Sequence, residues 1–249
     1  MLIPYLGEKT KLANFITPYI PTDISTYVEP FSGMFGVFFC LDFTKFKNIN
    51  FIYNDKNHLN YLLFKNLRND KFIDLVNETE VDEEYYRNCL KSLIIEKDEM
   101  LLSLYWLVVL CCSSPYEIGK DSWISKNEFD IFKIKYGAYK YHIDKITEIE
   151  NLDYIDVIKK YDSKETFFYV DPPYMNKEKY YINHDFTPDS HLELAKVLNN
   201  IQGRFLLSYF YFDGMNELYP NCKIEKKITI MGTESVSYTH LTLPTICSV

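Results

Sequence analysis

The sequence predicts an α/β fold with a mostly parallel sheet and helices on both faces. Three observations predict it. Ser25-Thr26-Tyr27-Val28 reads as a short strand; the loop Glu29-Pro30-Phe31-Ser32-Gly33-Met34-Phe35-Gly36 leads from it into an apolar run, Val37-Phe38-Phe39-Cys40-Leu41. Asn50-Phe51-Ile52-Tyr53 reads as a second strand and ends at Asn54-Asp55. Thr166-Phe167-Phe168-Tyr169-Val170 is an apolar run of the kind that forms a buried strand, and it ends at Asp171-Pro172-Pro173-Tyr174.

The first two segments have the layout of a Rossmann-type nucleotide pocket: strand, glycine-containing loop, apolar helix, second strand, acidic residue. Gly33 lets the backbone approach a ligand closely. Asp55 stands about 20 positions past the glycine loop, where a ribose-binding carboxylate belongs. It would also serve as the N-cap of a helix over Asn57 to Leu67, and the two roles are compatible. Helical patterning continues over Phe72 to Asn77, Glu83 to Ile95 and Glu99 to Cys112. From Glu117 to Lys140 the chain turns polar, aromatic and lysine-bearing, with Lys120, Trp123, Lys126, Lys133, Lys135, Tyr136, Tyr139 and Lys140. A loop mixing basic and aromatic residues suits phosphates and unstacked bases; a solvated surface with half-buried rings is the plain alternative. The gap of about 95 residues before the Phe167 strand is far longer than an ordinary connection. Gly203 to Tyr209 reads as a further strand. The neighbourhoods of Phe38, Val170 and Leu207 should lie in the core.

The Asp-Pro-Pro-Tyr segment carries the chemistry. The exocyclic amine of a flat base is a poor nucleophile because its lone pair is delocalised into the ring. Acceptors at its two N–H groups localise that pair. Asp171 offers a carboxylate oxygen and Pro172 a backbone carbonyl. Each proline fixes its φ, which holds the carbonyl in place. Tyr174 offers a ring for stacking, worth roughly 1–3 kcal/mol per base. An amine inside a duplex is out of reach, so the base must be flipped out. The same four residues would also make an ordinary turn.

The glycine loop lacks the G-x-G-x-x-G of a pyrophosphate binder. A cofactor without a diphosphate fits better. S-adenosylmethionine is one: its ribose hydroxyls suit Asp55, and its cationic sulfonium tolerates Glu29. Lys9 is either a partner for a cofactor carboxylate or a solvated surface charge. Tyr5 either stacks or packs.

Together these segments resemble the adenine-N6 DNA methyltransferases of the Dam type, in which cofactor motifs precede the catalytic one. Tyr5-Leu6-Gly7-Glu8-Lys9 is similar to the opening aromatic-x-Gly-Gly-Lys, with Glu8 where the family has glycine. Glu29 to Gly36, Asp55 and Asp171-Pro172-Pro173-Tyr174 follow in the family's order. Tyr180, Phe186 and His191-Leu192-Glu193-Leu194-Ala195 match the next segment, and Gly203 to Tyr209 the strand after it. The likeness covers about residues 1–70 and 145–230. Asn127 to Lys140 matches more faintly, and the family's Asn-Gly-x-x-Arg segment is not recognisable near Ser113-Ser114-Pro115-Tyr116.

The resemblance implies an S-adenosylmethionine-dependent methyltransferase fold with an inserted helical target-recognition domain. Residues 1–68 and 145–235 would form the catalytic domain and 69–144 the insertion. Tyr5, Lys9, Glu29, Phe31, Gly33, Asp55 and Asp171 would bind S-adenosylmethionine. Asp171, Pro172 and Tyr174 would handle the target adenine of double-stranded DNA, with no metal required. The runner-up chemistry is methylation of another amine, such as N4 of cytosine or a glutamine amide; such enzymes commonly begin the motif with Ser or Asn. A catalytically silent DNA-binding protein is the rival from another class.

Bulk properties bound these expectations. A chain of 249 residues can bury a full core. The net charge of −8 excludes a generic DNA coat but leaves room for an enzyme with a local basic face. The six cysteines contain no C-x-x-C, so neither a zinc site nor a disulfide framework is expected. Cys111 and Cys112 should be core. With no leader and no apolar stretch long enough to span a bilayer, a monomer in the reducing cytoplasm of a bacterium, or of a phage-infected cell, is expected. Residues 236–249, Val236 to Val249, look like a translated sequencing-library adapter. The authentic sequence is then expected to stop near 233–235 without its final strand, leaving an unpaired edge. Resequencing the gene checks this: a clean read encoding the same tail refutes it.

Overall fold

The computed structural model describes residues 2–5, 9–114, 121–175, 186–210, 212–231 and 234–242, with the backbone alone from 226 onward. The described strands are β1 Thr26–Glu29, β2 Asn50–Asn54, β3 Ile146–Glu150, β4 Thr166–Val170, β5 Arg204–Phe210, β6 Lys223–Met231 and β7 Glu234–Thr242. They form one sheet in the order β3-β2-β1-β4-β5-β7-β6. β3, β2, β1, β4 and β5 run parallel. β7 runs antiparallel to both β5 and β6. The chain moves outward from β1 through β2 to β3, then restarts at β4 on the other side of β1. The strand order therefore reverses between β1 and β4, and open α/β sheets bind ligands at such a point.

The helices are α1 Ala13–Ile16, α2 His58–Asn66, α3 Asp70–Glu78, α4 Glu83–Ser92, α5 Glu99–Cys112, α6 Asn127–Ile143, α7 Tyr154–Tyr161, α8 Pro188–Leu198 and α9 Met215–Leu218. Their starts follow the side chains that can accept from a free N–H. Asn57 caps α2, Asn69 caps α3, Asp82 caps α4, and Asp98 accepts from both Met100 and Leu101 at the start of α5. Apolar on nearly every side, α5 is buried accordingly, with Cys111 and Cys112 in the core as expected. Phe38, Val170 and Leu207 are all fully buried. The helices of 69–144 and the sheet contribute to one continuous apolar cluster, with Phe72, Tyr86, Leu107 and Phe132 beside Phe51 and Phe168.

Several elements differ from the sequence reading. The apolar run after Gly36 is a single 3-10 turn, Phe38–Cys40, rather than a helix. Tight turns fill the loop before it, and Phe35 takes φ +56° there, stacked on Phe38 at 4.2 Å. The polar stretch expected as a loop is helical from Asn127. Phe129, Phe132, Tyr136, Tyr139 and Ile143 recur at steps of three and four, which gives α6 a continuous inner stripe. Of these, Phe129, Phe132 and Ile143 are fully buried. β3 and α7 went unread because Ile146-Thr147-Glu148-Ile149-Glu150 is short and half polar, as edge strands are. The unpaired edge expected after a lost final strand is not found: Glu234–Thr242 lies between β5 and β6. Val, Tyr and Thr recur in that segment, and such residues favour strands whatever their origin. Among the described residues no helix is long and apolar enough to cross a membrane.

Candidate active site at the carboxyl edge of the sheet

Glu29 is level with Tyr53 across β1 and β2, and Val28 is level with Phe168 across β1 and β4. Asp55, Phe31 and Asp171 follow the ends of three adjacent parallel strands and so leave from the same edge of the sheet. The loop from Pro30 to Gly33 runs between the two aspartates, at the reversal of strand order.

That loop is pinned by its neighbours. Ser32 N–H donates to the Asn54 carbonyl at 2.9 Å, and Asn54 N–H donates back to Ser32 Oγ at 3.0 Å. Asn54 Nδ2 donates to the Pro30 carbonyl at 2.8 Å, and Tyr53 Oη donates to the Gly33 carbonyl at 2.9 Å. Gly33 has φ +50°, and a Cβ there would lie 3.2 Å from the Tyr5 ring. Gly33→Ala should therefore lower stability by about 1–2 kcal/mol, the cost of a left-handed backbone with a side chain. A thermal melt checks this; an unchanged midpoint would remove the close approach.

One cluster gathers on Asp55, which is half-buried. Its Oδ2 accepts from Gly33 N at 2.9 Å and from Asn60 Nδ2 at 3.1 Å, and its Oδ1 accepts from Asn57 N at 2.7 Å. Asn57, not Asp55, is the helix cap. Burial nonetheless pushes the Asp55 carboxyl up to about 6 against these three donors. Tyr5 closes the cluster, its hydroxyl accepting from Asn60 Nδ2 at 3.2 Å. The Tyr5 phenol is pushed up by burial and by the Asp55 charge. Asn57 is 7% exposed, and its Nδ2 finds no acceptor among the described residues.

A second cluster gathers on Asp171. Lys9 Nζ lies 2.7 Å from Asp171 Oδ2, with the lysine side chain 4% exposed and the aspartate 17%. Lys9 is thus buried rather than solvated. Tyr174 Oη donates to Asp171 Oδ1 at 3.0 Å, and Lys9 also lies 5.1 Å from the Tyr174 ring centre. Burial raises the Asp171 carboxyl above the usual carboxylate range, while Lys9 pulls it down. Tyr174 is itself buried, its ring against Tyr209 and Phe210. Tyr209 is hydrogen-bonded to His191 Nδ1, which ties α8 to this corner.

Glu29 lies between the clusters. It is fully buried, and its Oε1 accepts from Tyr27 Oη at 2.6 Å and from Phe38 N at 3.2 Å. Burial holds its carboxyl well above the ordinary value, and the nearby Asp171 charge adds to that. Phe31, partly exposed, stacks on Tyr154 at 5.2 Å and meets Phe186 edge-on at 5.7 Å. Pro172 is buried beside Asp171. Leu6, Gly7, Glu8, Lys120 and Tyr180, all named from the sequence, lie outside the described residues.

Sequence reasoning missed Asn54, Asn57, Asn60 and Trp106. The signal was present for three of them: asparagines at 54, 57 and 60 beside an apolar helix are polar groups that burial obliges to pair. Among the described residues, no group of three or more His, Cys, Asp or Glu is placed to hold a metal ion.

A mostly parallel sheet whose strand order reverses between β1 and β4 defines a Rossmann-like α/β protein. The chain belongs to the D12 class N6 adenine-specific DNA methyltransferase family, whose pattern matches residues 5–232. It is 27% identical to the type II methyltransferase M.MjaIII of Methanocaldococcus jannaschii, over 91% of this chain and 90% of that one. It is 23% identical to the type II methyltransferase M.CviBI of Paramecium bursaria Chlorella virus NC1A, over 97% and 98%. Among solved structures, TrmN from Thermus thermophilus aligns with a TM-score of 0.39 and 10% identity, over 93% of this chain and 47% of that one.

Proposed function

We propose that this chain is a site-specific enzyme that moves a methyl group from S-adenosylmethionine to the N6 amine of adenine in double-stranded DNA. The observation that carries the reading is the Asp171 carboxylate, held at the end of β4 by two donors and one strand away from the Gly33 loop. An acidic first residue in the motif favours adenine over N4 of cytosine.

The residues present fit the methyl donor. Gly33 keeps the space against Tyr5 free of a side chain, and Asp55, just past the end of the neighbouring strand, is a carboxylate acceptor for ribose hydroxyls. When bound, S-adenosylmethionine supplies the electrophilic methyl group. Phe31 would border the adenine moiety of the bound donor, and Glu29, its carboxyl raised by burial, would line the same cleft. Lys9 would hold the cofactor carboxylate, which would leave Asp171 Oδ2 to accept from the N6 amine. Asp171 and the Pro172 carbonyl then accept the two N–H groups and localise the lone pair on N6. Tyr174, its hydroxyl on Asp171 Oδ1, would stack with the flipped base. The bound donor would supply the methyl group with loss of its sulfur–carbon bond, and the extra N6 proton would pass to solvent.

Target recognition falls to 69–144. Several of its lysines are engaged within the protein: Lys133 donates to the Asn77 and Thr79 carbonyls, and Lys140 pairs with Asp144. Lys135, Ile134 and Tyr141 on α6 are exposed. An exposed cation beside exposed apolar side chains suits a phosphate backbone with an adjoining base step. The enzyme acts as a monomer in the cytoplasm.

Single-molecule sequencing of DNA from an expressing host tests the whole reading. N6-methyladenine at one recurring sequence is the expected result. N4-methylcytosine would transfer the activity to the runner-up, and unmodified DNA from a folded, soluble chain would point to the silent binder.

A further inference from the structure

The Asp55 cluster extends into the helical region. Asn60 is fully buried, and its Oδ1 accepts from Trp106 Nε1 at 2.8 Å, while its Nδ2 faces Asp55 Oδ2 and the Tyr5 hydroxyl. Trp106 belongs to α5 and is 2% exposed. An indole N–H can only donate. The amide oxygen of Asn60 must therefore point at Trp106, and its NH2 group must point at Asp55. Turning the amide over would set two donors against each other at a buried position, with an unmet hydrogen bond on each side.

We infer that Trp106 is a positioning residue for the cofactor carboxylate: by fixing which way the Asn60 amide points, it keeps Asp55 ionised and aimed at the ribose. The inference rests on the ribose role assigned to Asp55 above. Removing the indole N–H frees the amide to turn, and Asp55 loses a donor that lowers its proton affinity.

The groups around Asp55 allow the effect to be read. Tyr5 and Tyr53 face it, and burial keeps both phenols protonated through the neutral range. Lys56 is exposed and paired with Asp153, and His58 is hydrogen-bonded to Asn151. Asp171, with its own raised carboxyl, stands beyond the Gly33 loop and is paired with Lys9. Ribose hydroxyls donate to a carboxylate, so cofactor affinity should rise with pH as Asp55 ionises.

The test is calorimetric titration of the full chain with S-adenosylhomocysteine from pH 5.5 to 8.5. Wild type should bind more tightly as pH rises and then level off. Trp106→Phe, which keeps a ring, should move that midpoint upward. One unit of movement lowers affinity about tenfold on the acid side and leaves the alkaline plateau within about twofold. Asn60→Leu should move it as far, and Trp106→Phe added to Asn60→Leu should move it no further. A loss equal at every pH, or no loss at all, overturns the inference. A measurement without mutation stands beside it: the chain has two tryptophans, and the Trp106 indole N–H resonance of wild type should titrate with the cofactor midpoint. A resonance unmoved by pH also overturns the inference. Failure of the homocysteine analogue to bind wild type at any pH is a different result, which removes the functional reading and the inference with it.

Discussion

Asp171→Ala should reduce methylation of DNA by at least about 10²–10³-fold, the scale on which a single preorganised electrostatic contact to a developing charge counts. N6 becomes positive only as it gains the methyl group. A fixed carboxylate at its N–H groups is therefore worth more in the transition state than in the bound substrate, and kcat should fall more than KM rises. The fold will not be indifferent to the change. Lys9 is buried against Asp171. Alanine would leave that ammonium without its carboxylate, and breaking one side of a buried pair typically costs about 3–5 kcal/mol. The experiment therefore pairs Asp171→Asn, which removes the charge facing Lys9 but keeps a neutral acceptor for Lys9 and Tyr174, with the double change Asp171→Ala with Lys9→Met, which removes both charges. Both should fold, and both should be nearly inactive in a tritiated-methyl transfer assay. Substantial activity in the folded double variant would take the central role from Asp171. The pH dependence has a definite sign. Burial raises the folded-state carboxyl, so wild-type activity should fall as pH drops into the range where Asp171 takes up a proton.

The strand ends that carry the candidate site were legible because an apolar run that stops abruptly marks them. An apolar run stopping at an acidic residue marks both β2 and β4, and parallel pairing through β1 brings both strand ends to the same edge of the sheet. What the sequence could not show was how those carboxylates are held. Lys9 stands far from Asp171 along the chain, in a segment with no periodicity to reveal its burial. Trp106 looks like any other residue of the apolar α5, and only three-dimensional packing discloses the Asn60 oxygen opposite its N–H. α6 was hidden for a different reason: its lysines and tyrosines masked a three-four spacing of buried rings. β3 was hidden because one edge strand of five residues carries too little pattern. The strand in the tail was not expected because a segment's origin and its propensity are separate matters. Residues foreign in appearance still have the β-branched content to fill a place beside β5.

Asp55→Ala should weaken S-adenosylmethionine binding by about 1.5–3 kcal/mol, the usual worth of hydrogen bonds to a charged acceptor. That is roughly a 10- to 150-fold rise in Kd. The effect on stability should be far smaller, because two contributions oppose each other. The folded-state carboxyl sits at about 6, above its unfolded value. A carboxyl raised in this way contributes fully below the unfolded pKa, and that contribution is lost as pH rises through about 6. At pH 8 the ionised group therefore costs the fold up to roughly 3 kcal/mol, by the standard conversion of pKa shift to free energy. Alanine removes that cost. It also leaves Gly33 N, Asn57 N and Asn60 Nδ2 without their acceptor, at about 1 kcal/mol each. The two sums nearly cancel. Calorimetry and a thermal melt on the same variant at pH 8 should thus diverge: affinity much reduced, midpoint little changed. The reverse pattern, unchanged affinity with a large fall in the midpoint, would make Asp55 an anchor for the glycine loop and deny it the ribose.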